Sequence, residues 1–282
     1  MSSFAYISPQ TLGETVAVLA DHPESRLLAG GHNILLPINR SDLNGALLVD
    51  LRKIDALKGM DRQADRSVRL GAMTTIGAIA SSELVRSEYP ALAQAAESVG
   101  DAQVRNRATL GGSIAAKDPE GDLPAPLFAL DASIELLGHR GSRRIPITEF
   151  LAESAGARDE IIVSMILPRV PEHARMAYLK FKHPARLYAL CGVAAVLTTS
   201  NGSIDTVRVA VTGAANRPFR FKGIEDALLN GPATEQAVDG ASSTASPEVD
   251  FRSDIFASAE YRSHLTTVLT SRALKQALAQ AT

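Results

Sequence analysis

Short hydrophobic runs and amphipathic segments alternate through the first quarter of the chain. Thr11-Leu-Gly-Glu14 has the spacing of a capping box, and the apolar positions after it share one helical face, which predicts a helix ending at His22-Pro23. Arg26–Ala29 and Ala46–Leu51 are short apolar runs typical of buried strands. Val68–Ala72 alternates between apolar and polar residues and predicts a further strand.

The middle of the chain predicts helices. Thr74–Ser82 predicts a helix capped by Thr74. Pro90–Val99 predicts a longer one, since proline suits a first helical turn and a glycine follows the last apolar residue. Pro124–Leu130 predicts a short third helix.

Two strands and a tight turn follow. Ser133–Leu137 and Arg144–Pro146 predict a hairpin closed by Gly138-His-Arg-Gly-Ser142. Ile161–Leu167 is a continuous apolar run ended by Pro168, which predicts a buried strand.

A segment with a proline and several charges, Arg169–Ala174, is the predicted domain boundary. Beyond it, Met176–Lys182, Ala189–Thr198 and Ile204–Thr212 predict three adjacent antiparallel strands, because Asn201-Gly202 is a strong hairpin signal. The remainder predicts a helix at Ile224–Leu229, a segment over 233–247 that begins as helix and ends as loop, and a last helix. That last helix has a predicted buried stripe of Tyr261, Leu265, Leu269, Ala273 and Ala277.

These patterns predict an α+β protein with two domains. The N-terminal domain covers residues 1–170, in lobes of about 1–55 and 56–170. The C-terminal domain covers residues 175–282 and carries a three-stranded antiparallel sheet covered by helices.

Composition narrows the classes of function. A formal net charge of −2 argues against a nucleic-acid partner held by bulk electrostatics. Cys191 is the single cysteine, so the chain has no internal disulfide and cannot hold an iron–sulfur cluster by itself. The histidines show no metal-ligand spacing. No secretory signal and no membrane-spanning apolar run is visible, so we expect a cytoplasmic protein.

Two turns carry paired glycines beside polar residues: Ala29-Gly-Gly-His-Asn33 and Thr109-Leu-Gly-Gly-Ser113. Paired glycines let the main chain approach a ligand and direct N–H groups at phosphate oxygens, although Gly-Gly is also an ordinary turn. The chain has no Gly-x-Gly-x-x-Gly and no Gly-Lys-Ser/Thr, so neither a Rossmann nor a Walker loop is available. Two such loops could hold the two phosphates of one pyrophosphate, which favours a dinucleotide.

The two loops resemble the signature loops of a known family. Leu28-Ala-Gly-Gly-His-Asn-Ile-Leu-Leu-Pro37 and Val104-Arg-Asn-Arg-Ala-Thr-Leu-Gly-Gly-Ser-Ile114 are similar to those of the FAD-binding medium subunits of molybdenum hydroxylases. Asp118-Pro-Glu-Gly-Asp-Leu-Pro124 and Tyr261-Arg-Ser-His-Leu265 resemble two further segments of that family. The resemblance spans nearly the whole chain. It implies the two-lobed flavoprotein fold shared with vanillyl alcohol oxidase, followed by the family's C-terminal domain.

The resemblance also implies which residues contact FAD. One side of the pyrophosphate would be bound by the backbone of the first loop, made of Leu28, Ala29, Gly30, Gly31, His32, Asn33 and Ile34. The other side would be bound by Thr109, Gly111, Gly112 and Ser113. Asp122 would hold the sugar-alcohol chain of the flavin, Ile162 would meet the flavin through its backbone, and Lys182 would lie near the isoalloxazine ring.

Some positions leave alternatives open. Ser113 and Asn33 replace the family's usual Asn and Ser, so their side-chain contacts are less secure than the loops themselves. Tyr188 could stack on the flavin or pack in the core, and His32 could lie against the ligand or cap its turn. Cys191 fits an inert buried thiol better than a redox group.

The implied function is electron transfer. In this family a small subunit carries 2Fe–2S clusters and a large subunit carries molybdopterin, so the expected assembly is a heterotrimer or a dimer of heterotrimers. Electrons would pass from the clusters through FAD on this chain to an external acceptor, with no catalytic acid or base required. A stand-alone FAD-dependent reductase and a flavin-free structural subunit are the alternatives. The substrate and the acceptor stay open.

Overall fold

The computed structural model describes residues 4–35, 45–152, 159–183, 187–244 and 248–280. Leu36 and Pro37 of the first signature and the end of the predicted 233–247 segment lie outside these ranges. The strands are β1 Ala5–Ile7, β2 Arg26–Leu28, β3 Leu47–Asp50, β4 Met60–Arg62, β5 Val68–Gly71, β6 Ser133–Gly138, β7 Gly141–Pro146, β8 Glu160–Leu167, β9 Arg175–Lys182, β10 Ala189–Ser200, β11 Ser203–Thr212 and β12 Phe219–Arg220. The helices are α1 Leu12–Asp21, α2 His32–Leu35, α3 Ile76–Ser81, α4 Glu83–Glu88, α5 Pro90–Ser98, α6 Ala102–Arg107, α7 Leu110–Ala115, α8 Pro124–Ala129, α9 Ile147–Ala152, α10 Lys222–Leu228, α11 Glu235–Thr244 and α12 Ala259–Leu278.

The chain forms two compact units that each draw on separate stretches of sequence. The first unit combines residues 1–78, 101–116 and 132–169, and the second combines 79–100, 117–131 and 170–282. The α+β class is confirmed. The chain enters the second unit twice before the predicted boundary, so the compact units are not simply the two halves of the sequence.

The first unit contains two sheets. A three-stranded parallel sheet has the order β1-β3-β2, and a five-stranded antiparallel sheet has the order β4-β5-β8-β6-β7. The predicted hairpin is confirmed as β6 and β7, which pair from Ser133 opposite Pro146 to Gly138 opposite Gly141. The turn is shorter than the predicted five residues, because the pairing of Gly138 with Gly141 leaves only two residues between the strands. Gly141 has a φ of +103°, which favours glycine at this position.

Two predictions in the first half need correction. Thr75, not Thr74, caps α3: its hydroxyl accepts from the Ala78 N–H at 3.2 Å, whereas the Thr74 hydroxyl donates to the Gly59 carbonyl. The stretch around the second glycine pair is helical rather than a simple turn, since α6 and α7 occupy it. Asp101 and Thr109 cap these two short helices.

The second unit contains a four-stranded antiparallel sheet in the order β12-β11-β10-β9. The three predicted strands are confirmed, and the short β12 adds a fourth. The hairpin at Asn201-Gly202 is also confirmed, and both residues have positive φ, as a type I′ turn requires. Strand β10 is buried along its first ten residues, with α12 and α8 both in contact with it.

The stripe predicted on α12 is right except at its first residue. Leu265, Leu269, Ala273 and Ala277 are buried, but Tyr261 is 42% exposed. The adjacent Arg262 is fully buried instead and donates to the carbonyls of Leu190 and Gly213 and to the carboxylate of Asp254.

Candidate functional site

The first glycine loop follows directly from β2. Leu28 ends the strand and is buried, Gly31 turns the chain at φ +83°, and α2 begins at His32. Within the part of the chain that the structure describes, the backbone N–H groups of Gly30, Gly31 and His32 have no hydrogen-bond acceptor. Adjacent N–H groups without an internal acceptor suit the oxygens of an anionic ligand.

The second loop is different, because its own N–H groups are already bonded. The N–H of Leu110 donates to the Thr74 carbonyl at 2.9 Å, and that of Gly111 donates to the Ala72 carbonyl at 2.8 Å. The N–H of Gly112 donates to the Thr109 hydroxyl at 3.2 Å. The expectation that both glycine pairs offer free backbone donors therefore fits the first loop only.

The two loops lie against each other inside the first unit. A Cβ placed on Gly30 would lie 2.1 Å from the Arg107 carbonyl oxygen, and one placed on Gly112 would lie 3.6 Å from the Ala29 Cβ. Residues about eighty positions apart in sequence thus form one feature. The structure brings together the two loops that the sequence analysis paired.

Ile162 lies on β8 beside an irregularity in the sheet. The register of β6 against β8 shifts so that Glu135 pairs with Ser164 and Leu136 pairs with Ile162, which leaves Val163 as an extra residue. The Val163 carbonyl accepts from the N–H of Ala72, the residue that also accepts from Gly111. This strand therefore supports the second loop through Ala72.

Asp122 is held in the second unit by two residues of β9. Its carboxylate accepts from the Tyr178 hydroxyl at 2.7 Å and from the Lys180 ammonium at 2.8 Å. The side chains of Asp122 and Lys180 are 5% and 6% exposed. Burial raises the pKa of Asp122, against the opposing effect of Lys180 and Tyr178. Burial and the nearby carboxylate raise the pKa of Tyr178 well above its ordinary range.

The acidic segment before Asp122 is fixed to the same sheet. The Thr212 hydroxyl donates to the carbonyls of Pro119 and Gly121, and the N–H of Gly213 donates to Pro119 at 2.7 Å. Glu120 is buried and forms an ion pair with Arg252 at 3.1 Å. The Ala189 N–H donates to the Glu120 carbonyl at 3.3 Å, so the segment is bonded both to the start of β10 and to the end of β11.

Lys182 and Tyr188, the residues predicted near the flavin ring, differ in their exposure to solvent. Lys182 is exposed at the end of β9, and Tyr188 is half-buried immediately before β10, where its carbonyl accepts from the His183 N–H. Sequence reasoning missed Tyr178 and Lys180. The signal was available, because alternate residues of a strand share a face and both lie in step with Lys182.

The described ranges contain neither a membrane-spanning helix nor a cluster of metal-ligating side chains. No helix in those ranges is long and apolar enough to cross a membrane. No three His, Cys, Asp or Glu side chains within those ranges come close enough to hold a metal ion.

The residues present fit a pyrophosphate-containing cofactor. The first loop offers three N–H groups without internal acceptors, and Gly112 brings no side chain to the place where the second loop approaches Ala29. Ser113, the next residue, is half-buried. Bound FAD would supply the redox chemistry, and the protein would supply its binding and orientation.

Comparison with known proteins identifies the family. Residues 2–170 match the FAD binding domain in molybdopterin dehydrogenase, and residues 176–277 match the CO dehydrogenase flavoprotein C-terminal domain. The chain is 32% identical to the carbon monoxide dehydrogenase medium chain of Hydrogenophaga pseudoflava, over 98% of each chain. It is also 32% identical to the xanthine dehydrogenase FAD-binding subunit of Escherichia coli, over 100% of this chain and 98% of that one.

Solved structures agree with this match. Carbon monoxide dehydrogenase from Hydrogenophaga pseudoflava, in a form that lacks the Mo-pyranopterin moiety, superposes with a TM-score of 0.93 at 32% identity, over 99% of this chain and 98% of that one. Quinoline 2-oxidoreductase from Pseudomonas putida superposes with a TM-score of 0.90 at 28% identity, over 98% and 97%. The chain therefore belongs to the FAD-binding medium subunits of the molybdenum hydroxylases, an oxidoreductase family.

Proposed function

We propose that this chain is the electron-transfer subunit of a molybdenum hydroxylase complex. It binds FAD non-covalently, receives electrons from 2Fe–2S clusters of a small partner subunit and passes them to an external acceptor. A large partner subunit carries molybdopterin and oxidises the substrate. Family membership supports this role, and so do relatives named as medium chains and FAD-binding subunits.

One observation of the chain itself carries the proposal. The backbone N–H groups of Gly30, Gly31 and His32 have no acceptor among the described residues, and this loop packs on the second glycine loop. Gly30, Gly31 and His32 are half-buried. Backbone N–H groups shielded from water are nearly always hydrogen-bonded in folded proteins, so three adjacent ones without a protein acceptor suit a ligand. An anion with several oxygens, such as a pyrophosphate, would satisfy all three.

The second glycine loop, Asp122, Ile162 and Tyr188 are also proposed to contact FAD, but the role proposed for the second loop changes. Ser113 would contact the second phosphate through its hydroxyl, and Gly112 would let that phosphate come close to the main chain, since the backbone N–H groups of residues 110–113 are all bonded internally. Asp122 would reach the sugar-alcohol chain of the flavin while it accepts from Tyr178 and Lys180. Ile162 and Tyr188 remain proposed flavin contacts.

The purified chain tests the proposal directly. We expect yellow protein with one FAD released per chain on acid denaturation, and co-purification with iron and molybdenum when the neighbouring subunits are co-expressed. A colourless chain that FAD cannot reconstitute would instead indicate a flavin-free structural subunit. A flavin-loaded chain that reduces acceptors alone and binds no partner would indicate a stand-alone reductase.

Lys182 is proposed to stabilise reduced, anionic flavin through its positive charge. Replacing Lys182 with Met should lower the flavin midpoint potential without loss of FAD, because the side chain is exposed and takes part in no hydrogen bond or ion pair with the described residues. Lys53→Met, at another exposed lysine, is the matched control. An unchanged potential in the Lys182 variant, measured by reductive titration with a reference dye, would contradict this role and leave FAD binding untouched.

A further inference from the structure

The second glycine loop is fixed in place by main-chain hydrogen bonds to residues 72–76. The N–H of Ile76 donates to the Ala108 carbonyl at 2.9 Å, which adds to the two bonds from Leu110 and Gly111 already described. Three bonds between main-chain groups on both sides of Thr109 leave the segment little freedom to move. Any change in spacing between the two loops must therefore come from the first loop.

Gly30 is the residue of the first loop that meets this fixed segment. The nearest atoms to a Cβ at Gly30 would be the Arg107 carbonyl oxygen at 2.1 Å, the Arg107 carbonyl carbon at 2.9 Å and the Ala108 Cα at 3.0 Å. All three are main-chain atoms, so rotation of a side chain cannot relieve the overlap. The requirement for glycine here is space, whereas at Gly31 it is the positive φ.

We propose that Gly30 is a positioning residue that sets the spacing of the two loops, and that the loops form one phosphate cradle before FAD arrives. The identity of the ligand rests on the proposed function, but the packing of the loops does not. A preassembled cradle holds the N–H groups of Gly31 and His32 at a fixed distance from Ser113. Binding then costs little reorganisation, because the donors are already in position.

Gly30→Ala tests the role of the missing Cβ. We expect the affinity for FAD to fall at least about tenfold, since the first loop must move off the Arg107 carbonyl. Gly77→Ala is the matched control: its Cβ would meet the exposed Asn106 side chain at 2.7 Å and no main-chain atom closer than 3.4 Å. Because alanine also favours the helix at this position, that variant should bind FAD within about twofold of the unaltered chain.

A cross-link measures the spacing without any ligand. Ala29 and Gly112 have Cβ positions 3.6 Å apart, inside the range of a disulfide. The Thr109 hydroxyl, 2.9 Å from the Gly112 Cβ position, is a side-chain atom that can rotate, so Ala29→Cys with Gly112→Cys should form a disulfide in the apo-protein when a thiol oxidant such as diamide is added. Loss of two thiols and the mass of the linked peptides report the bond. Native Cys191 is fully buried and should not interfere. With Gly30→Ala added, we expect the rate of cross-linking to fall at least about tenfold, as a displaced loop no longer meets the geometry that a disulfide requires.

The outcomes separate this proposal from the proposed function. Failure of the double-cysteine chain to cross-link in the apo-protein would overturn the preassembled cradle, even if Gly30→Ala does not fold. Equal cross-linking with and without Gly30→Ala, or full retention of FAD by that variant, would overturn the positioning role. If cross-linking depends on Gly30 but the chain never binds FAD, the spacing role is supported and the proposed cofactor is refuted.

Discussion

Replacing Lys180 with methionine should leave the Asp122 carboxylate buried without its cation. The ammonium lies 2.8 Å from the carboxylate and also donates to the Ser98 carbonyl at 3.0 Å. Both ionic side chains are almost fully shielded from water. Removing one partner of a buried pair costs about 3 to 5 kcal/mol, because the other charge stays buried and uncompensated. We expect that loss in the free energy of unfolding near neutral pH.

The loss should depend on pH with a defined sign. Burial already raises the pKa of Asp122 above its ordinary value, and loss of Lys180 removes an opposing effect, so the pKa in the folded state rises further. A carboxyl whose folded pKa is raised favours folding when protonated and loses that contribution as pH rises through the folded pKa. The difference between Lys180→Met and the unaltered chain should therefore grow between about pH 5 and about pH 8.

Urea unfolding of the apo-protein, followed by far-UV circular dichroism, measures this difference without a contribution from bound ligand. Lys182→Met is the control on the same strand, and since Lys182 is exposed it should change stability by no more than about 0.5 kcal/mol. Adding Asp122→Asn to Lys180→Met removes the buried charge and should recover at least about 1 kcal/mol near pH 8. A pH-independent loss, or no recovery in the double variant, would refute the reasoning.

Two further predictions concern α12 and β10. Arg262→Met should destabilise the protein by about 3 kcal/mol or more, because buried carbonyls and Asp254 lose their donor, whereas the exposed Arg272→Met should stay within about 0.5 kcal/mol in the same urea assay; equal effects would contradict the anchoring role of Arg262. Burial raises the pKa of Cys191 to about 12, so this thiol should resist a thiol reagent in the folded chain near pH 8 and react fully in denaturant; fast labelling of folded protein would show that it is not buried.

The strands of the second unit could be predicted from the sequence because they depend on local patterns of apolar and polar residues. Met176–Lys182 alternates, 189–198 is continuously apolar, and Asn-Gly supplies the positive φ angles of the hairpin turn. The errors arose where a short segment depends on distant partners. Strand β12 is only two residues long and exists because β11 offers an edge, and the cap of α3 shifted because Gly59 binds the Thr74 hydroxyl.

The glycine loops show the same limit at the site. The sequence identified both glycine pairs and predicted that they hold the two phosphates of one pyrophosphate, but it could not assign a separate role to each glycine. Glycine is required at position 31 because of the residue's own positive φ, which is a local property. At position 30 it is required because the carbonyl of Arg107, distant in sequence, leaves no room for a Cβ. The two loops also differ in their free N–H groups, because the carbonyls of Ala72 and Thr74 already accept hydrogen bonds from the second loop.

By itself, the sequence determined the fold class, most elements and the cofactor class, and it predicted the two loops proposed to hold the cofactor, because those features reside in short patterns. Only the tertiary structure decided which side chains share a buried site. Asp122 lies more than fifty residues before Tyr178 and Lys180 in the sequence, and Arg262 is buried where a helical stripe predicted Tyr261. Burial, hydrogen-bond pairing and close main-chain approach depend on chain segments that meet only in the folded protein.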